Sequence, residues 1–480
     1  MKTIVEEKPI SFKELEQKIF SYVCELGREI TTAMLEAYDK ELAEGRDKKN
    51  YRDKGIRTTT IKTVYGEVSY GRHVYQTKLE DGKKACVYLL DEAMQMEKIG
   101  LISTNLAEKL AMTVTEAPYR VTAETISSTC GQSISAGGVW NVMQRLGERI
   151  SEEEEYAVKQ MHADQSEGKK EIPVLFEEMD GVWLSMQDEQ HKKMKKQEMK
   201  VFTMYEGWDE EKEKQGRSSL VGKTMLAGME KSKKFHEKRE ACICKKYDAD
   251  EIGQRILNGD GGSWIYEPYD PEAIFQLDRY HVYQEITGKI RDKKAQREIR
   301  ELFDTGKPEE MLEYIQIYAT SVESPDEKDK SSQKAWELYQ YLERNREGLL
   351  PYDKRGIKIA APPEGILYKR MGVQENQNCT VITLRMKNRR MRWSVNGANN
   401  LAKILYQKEN KELIETIERY TDGLVFTMQM QEIVETLSAA KAPKKDGKGN
   451  PYVDVVNVHM PLLEAIQTAS RKAFKRAFCC

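Results

Sequence analysis

No apolar stretch in the 480 residues approaches the ~20 that a membrane-spanning helix needs, which argues against a helical membrane protein. A signal peptide is missing too: MKTIVEEKPISF sets acids and a proline where the apolar core would stand, so the expected location is the cytoplasm. Excess charge of one sign is absent. With 77 Lys+Arg against 79 Asp+Glu the net charge is −2, so any affinity for nucleic acid has to come from local patches. Of the eight cysteines only Cys242/Cys244 and Cys479/Cys480 are close neighbours, and neither pair has zinc-site spacing. Reduced, mostly buried thiols are expected. The absence of a GxxxxGK[ST] loop speaks against an ATP-driven motor, and neither HExxH nor GxSxG occurs. There are no internal repeats.

What is present begins with a long amphipathic pattern over 11–46. Ser11 and Glu14 fit a capping box, and Leu15, Ile19, Val23, Leu26, Ile30 and Met34 recur at helical spacing. Residues 57–78 alternate β-branched and aromatic with polar residues around Tyr-Gly-Glu, which predicts a β-hairpin. Over 103–150 successive helices are expected, with Pro118 starting one, Gly131 ending it and Ser135 capping the next; a helix-turn-helix that reads DNA is one interpretation. Residues 1–150 thus form a mainly helical N-terminal region with a β-hairpin, suited to binding DNA ends, and the acidic 151–172 read as a charged linker.

From Ile172 the pattern changes to strands: IPVLFEEM, GVWLSMQ and MKVFTMYEGW, then a charged helix, QRILNGDG, and AIFQLDRYHV. That order predicts an α/β, ribonuclease-H-like core. Its first part covers 173–284, a helical insertion fills 285–362, and 363–440 completes it with a basic helix. Residues 441–480 form a C-terminal tail with a strand-like YVDVVNV and a basic helix from Pro461.

Three acids fall where such a core would bring them together. Asp180 ends a strand-like run before Gly181, Asp260 stands between Gly259 and Gly261, and Glu375 opens a helix. Phosphodiester cleavage and strand transfer need an activated nucleophile and a stabilised leaving oxygen, which two divalent ions held by carboxylates provide. Mg2+ or Mn2+, as two ions by that template, is the expected cofactor. Asp278, which also ends a strand, is an alternative second acid, and His281 three residues on would orient a phosphate or the scissile strand. From Asn376 to Lys408 there is no acidic residue. Arg385, Lys387, Arg389, Arg390 and Arg392 there would contact backbone phosphates, with a base stacked on Trp393.

DGVWL around Asp180, NGDGGSWI around Asp260, LDRYH around Asp278 and RMKNRRMRWSVNGANNLAKIL after Glu375 resemble bacterial insertion-sequence transposases of the IS-Lre type, related to the Mutator-like DDE transposases. RTTTIKTVYGEVSYGRHVY and the Tyr-Arg at 119–120 are similar as well, so the resemblance covers most of the chain. It implies a DDE triad of Asp180, Asp260 and Glu375, binding to double-stranded element ends, and cleavage followed by strand transfer in a homo-oligomeric complex. One departure is that the LDRYH segment lacks the cysteine of the related Cys/His motif. A DNA-binding regulator without catalysis and a structure-specific nuclease are the alternatives.

Overall fold

The computed structural model describes residues 10–79, 82–94, 99–265, 273–323, 329–421 and 423, all within one compact unit, 1–424. The 440–451 break, YVDVVNV, the helix expected from Pro461 and Cys479/Cys480 lie outside the described residues. The protein is mixed α/β.

Helix α1 (Phe12–Gly45) starts with the expected capping box: the Ser11 hydroxyl accepts from the Glu14 amide, and the Glu14 carboxylate accepts from the Ser11 amide at 2.8 Å. Strands β1 (Arg52–Thr63), β2 (Gly66–Lys78) and β3 (Lys84–Val87) make an antiparallel sheet whose hairpin turns before Gly66. At φ +121° Gly66 adopts a backbone that a side chain would disfavour. Leu35 of α1 packs there with Ile61, Val68 and Tyr70.

Helices α2 (Thr104–Glu116), α3 (Tyr119–Thr129) and α4 (Ala136–His162) follow. Pro118 and Ser135 stand at the predicted starts, and the Ser135 hydroxyl accepts from the Gly138 amide at 3.1 Å. These helices do not pack as a separate unit. Leu106, Leu110, Val139, Met143 and Leu146 share one core with the sheet that follows, because the first half of α4 carries an apolar stripe of Val139, Met143, Leu146 and Ile150. Nor is 151–172 a linker. Helix α4 runs on to His162, and its acids are held by cations of packed helices: Glu154 with Lys238 (2.6 Å) and Lys403 (2.9 Å), Glu155 with Lys234 (2.6 Å) and Glu153 with Arg419 (3.0 Å).

The main sheet has five strands: β4 (Leu175–Leu184), β5 (Gln197–Tyr205), β6 (Thr224–Gly228), β7 (Arg255–Gly259) and β8 (Ile274–Leu277). Their order is β8-β7-β4-β5-β6. β4, β5 and β6 run as an antiparallel meander, while β7 lies parallel to the other edge of β4 and β8 parallel to β7. Two strand readings are corrected. IPVLFEEM and GVWLSMQ form one strand, so Asp180 does not end a strand but lies inside β4 opposite Val201. Gly181 is not a turn; it is a gap in the pleat, and the Glu198 carboxylate fills the space a Cβ would need. The third antiparallel strand is β6, too short for its pattern to stand out in sequence.

Helix α5 (Ser232–Lys246) connects β6 to β7. After β8 come α6 (Arg279–Lys289), α7 (Lys293–Asp304), α8 (Pro308–Ser321) and α9 (Ser331–Arg344), which bury a core of their own around Ile299, Ile315 and Leu338. Most of these helices fall within 285–362, the stretch read as helical. A helical run over 374–386, with a π turn at Asn378–Thr383, returns to the sheet, followed by α10 (Val395–Glu409) and α11 (Leu413–Thr421). Among the described residues no helix is long and apolar enough to cross a membrane. The six described cysteines are free, but only Cys24 is fully buried and Cys86 and Cys379 are exposed, against the expectation of mostly buried thiols.

Candidate active site

Polar side chains interrupt the apolar pleat of β4 at Glu177, Glu178 and Asp180, and all three are buried. Burial of that kind is tolerated only with hydrogen-bonding partners. Asp180 finds them in the Gly181 amide, which donates to Oδ1 at 2.7 Å, and in Asn378 Nδ2, which donates to Oδ2 at 2.6 Å. Burial pushes the Asp180 carboxyl up to about 6, opposed by the nearby His281 charge and the Gly181 amide and reinforced by Asp260 and Glu375.

Asp260 directly follows β7, beside β4, as expected. Its Oδ1 accepts from the Gly262 amide at 2.7 Å, and its carbonyl accepts from the Tyr341 hydroxyl of the helical insertion at 2.9 Å. One ligand atom each from Asp180, Asp260 and His281 lie within 4.8 Å of one another. Asp278, the alternative second acid, lies at the start of the next helix. It caps α6, accepting from the His281 amide at 3.2 Å, and sits 3.0 Å from His281 Nδ1. His281 Nε2 is then turned toward Asp180 Oδ1 at 3.8 Å. Burial alone would lower the imidazole, but the Asp278 hydrogen bond and the charges of Asp180, Asp278 and Asp260 outweigh it and raise it to about 9.

Glu375 lies in the first turn of the helix Gln374–Gln377, exposed and outside the 4.8 Å group, yet its charge is felt at Asp180. What fixes its helix is Glu178, which sequence reasoning passed over. One Glu178 oxygen accepts from Tyr205 Oη (2.6 Å) and from the amides of Gly372 (3.0 Å) and Val373 (3.1 Å). The other accepts from the Gln374 amide and from Asn258 Nδ2, each at 3.1 Å. Burial pushes this carboxyl above the usual range, opposed by Tyr205 and the three amides. Asn258 also donates to Asp278 at 3.0 Å, so one chain of hydrogen bonds runs from the Glu375 helix through Glu178 and Asn258 to Asp278 and His281. The signal for it was the pair of acids inside an apolar strand.

The carboxylates of Asp180 and Asp260, with Glu375 at their edge, are oxygen donors that suit a divalent cation, and His281, held through Nδ1 by Asp278, is a cationic neighbour of that set.

The basic stretch divides. Lys387, Arg390 and Arg392 are exposed, as a phosphate contact requires; the Arg389 side chain lies outside the described residues. Arg385 and Trp393 are buried, which corrects their reading as surface contacts. Arg385 Nε donates to the Val114 carbonyl, and Trp393, 8% exposed, donates from Nε1 to the Met386 carbonyl at 2.8 Å. Lys403 is 0% exposed and pairs with Glu154 and Glu230. In compensation, the β4–β5 hairpin exposes Lys192, Lys193, Lys195 and Lys196, a run whose charge the sequence reading did not use.

Among known proteins, this chain is 26% identical over 407 residues to the UPF0236 protein in the vanSb 3′ region of Streptococcus gallolyticus, covering 83% of each chain. It is 25% identical over 418 residues to a UPF0236 protein of Caldanaerobacter subterraneus subsp. tengcongensis, covering 85% of this chain and 81% of that one. The family model described as uncharacterised protein family UPF0236 matches residues 5–419, and the chain belongs to that family.

Proposed function

We propose that this protein is a metal-dependent DNA transposase that cleaves the ends of its own element and transfers the freed 3′-hydroxyls into target DNA. The reading is carried by the grouping of Asp180, Asp260 and His281 within 4.8 Å. It is supported by the strand order, an antiparallel meander with two parallel strands added beside its first member, which is the plan of a ribonuclease-H-like core. Asp180 lies on the central strand, Asp260 follows the neighbouring strand and Glu375 opens a helix tied to that central strand through Glu178.

Asp180, Asp260 and Glu375 would hold Mg2+ or Mn2+, which supply an activated oxygen nucleophile and stabilise the leaving oxygen. The chain's own groups do the positioning. Asn378 and the Gly181 amide fix the Asp180 carboxylate, and Asp278 holds the His281 ring with Nε2 facing the cluster. A protonated His281 there neutralises part of the acidic charge and can donate to a phosphate oxygen. The exposed cations Lys387, Arg390 and Arg392 contact backbone phosphates, and a homo-oligomer brings two element ends together.

The test is purified protein with Mg2+ and a labelled duplex ending in the element's inverted repeat. Asp180→Asn, Asp260→Asn and Glu375→Gln should abolish cleavage and joining while leaving DNA binding. Asp278→Asn, which disturbs the His281 support and the Asn258 hydrogen bond, should lower activity about 10- to 100-fold. Full activity in Asp260→Asn with none in Asp278→Asn would replace the second acid. Cutting without joining would favour the nuclease, and binding without cutting the regulator.

A further inference from the structure

The β4–β5 hairpin folds back onto the loop before α10. The Trp393 amide donates to the Ser185 carbonyl at 3.1 Å, and the Gln187 amide donates to the Trp393 carbonyl at 2.8 Å. These hydrogen bonds hold the Trp393 indole as the floor of a hollow of about 330 Å³. Its walls are Tyr119 at the start of α3, Trp140 in the first turns of α4, and Met391, while Gln187 and Arg392 add polar groups. Beneath it the Arg385 guanidinium lies 5.6 Å from the Trp393 ring centroid and 5.8 Å from that of Tyr119. Trp140 is 44% exposed. An indole left in water at the mouth of an aromatic hollow forgoes the burial that such a large side chain ordinarily gains.

Arg392 on the lining loop is exposed, and the hairpin that supplies Gln187 carries the exposed Lys192, Lys193, Lys195 and Lys196, with Lys193 bridged to Gln187. The nearest acids in sequence are Asp188 and Glu189, and Asp188 Oδ1 is occupied by the amides of Gln190 (3.0 Å) and Lys192 (2.8 Å). Flat aromatic walls with cations around them match a nucleotide: the base in the hollow, its phosphates on the rim. A base stacked within a duplex cannot enter, so the occupant has to be unpaired or extruded. The hollow is also close to the cluster along the chain. Met186, which bridges to Trp393, lies six residues beyond Asp180, about 20 Å of extended chain at about 3.3 Å per residue.

We propose that this hollow binds one unstacked nucleobase of the DNA strand flanking the cleavage point, with Trp140 as the stacking face. The inference rests on the reading of the substrate as DNA. It transfers the stacking role expected of Trp393 to Trp140, on the helix that Ser135 caps.

The experiment uses the full chain in EDTA, where no cleavage occurs. Fluorescence anisotropy compares a labelled oligothymidylate of about twelve nucleotides with an abasic strand carrying the same number of phosphates. The unmodified protein should prefer the strand with bases. Trp140→Ala should lose that preference, weakening oligothymidylate binding about tenfold or more, equivalent to about 1.4 kcal/mol, with little change for the abasic strand. Trp140→Phe should retain most of the preference, and Asp180→Asn should leave it intact. Equal affinity for the two strands, or a preference indifferent to Trp140→Ala, overturns the proposal. Cleavage in Mg2+ is scored separately. Active protein without a base preference discards the pocket and keeps the transposase; a preference in protein that never cuts does the reverse.

Discussion

Glu178 shows how one buried carboxylate can fix the geometry of the candidate site. Three of its five hydrogen bonds come from the backbone that starts the Glu375 helix. Glu178→Gln would turn an amide NH2 toward groups that are themselves donors. It should cost about 2–3 kcal/mol in urea denaturation. It should also weaken Mn2+ binding about 10- to 100-fold by calorimetry, since Glu375 loses its fixed position. Unchanged Mn2+ affinity would show that Glu375 lies outside the metal site. On the opposite face of β4, Arg255 bridges Glu177 (2.6 Å) and Glu240 (2.8 Å), all buried. Burial alone would raise the Glu240 carboxyl, but Arg255 and Arg239 outweigh it and hold it at about 2, below its ordinary 4.5. A depressed carboxyl contributes stability that is complete above about 4.5 and is lost as the pH falls toward about 2. Denaturation measured between those values should show that loss, and Glu240→Gln should flatten it. Of these roles, Asp180 and Asp260 were visible as Asp-Gly steps in the sequence. The role of Asp278 was not, because capping and metal binding use the same residue type at the same strand end.

Among the elements, helix starts were the most legible. The Ser11–Glu14 box and the Ser135 cap depend on residues three apart, so local chemistry suffices to read them. The course of β4 was not legible, since Asp-Gly also signals a turn and only pairing with β5 shows that the strand continues. Helix α4 crosses α10 at Gly147, where an added Cβ would land on Asn400. Gly147→Ala should therefore destabilise by about 1–3 kcal/mol in urea denaturation, and an unchanged midpoint would mean the helices can part without cost. Lys403 on α10 looked like part of a basic DNA surface but is enclosed by Glu154 and Glu230. Lys403→Ala should cost about 3–5 kcal/mol in the same measurement while leaving the salt dependence of DNA binding unchanged.

At the level of the whole molecule, a net charge of −2 provides no general attraction to DNA, so any association has to rely on where the cations are exposed. Replacing Lys192, Lys193, Lys195 and Lys196 together by Ala should reduce the slope of log affinity against log salt by about 0.9 for each duplex phosphate that the hairpin no longer neutralises. Anisotropy titrations across a range of NaCl concentrations measure it, and an unaltered slope would remove the hairpin from the interface. The capped helices, the β-hairpin and the α/β character were all readable from the chain, because each follows from residues close together in it. Packing in three dimensions was needed to establish which cations face solvent, that α4 belongs to the main core, that Asp278 orients His281, and that Trp140 rather than Trp393 offers an open ring. Those outcomes depend on which side of an element is covered, and the covering residues come from segments remote in sequence.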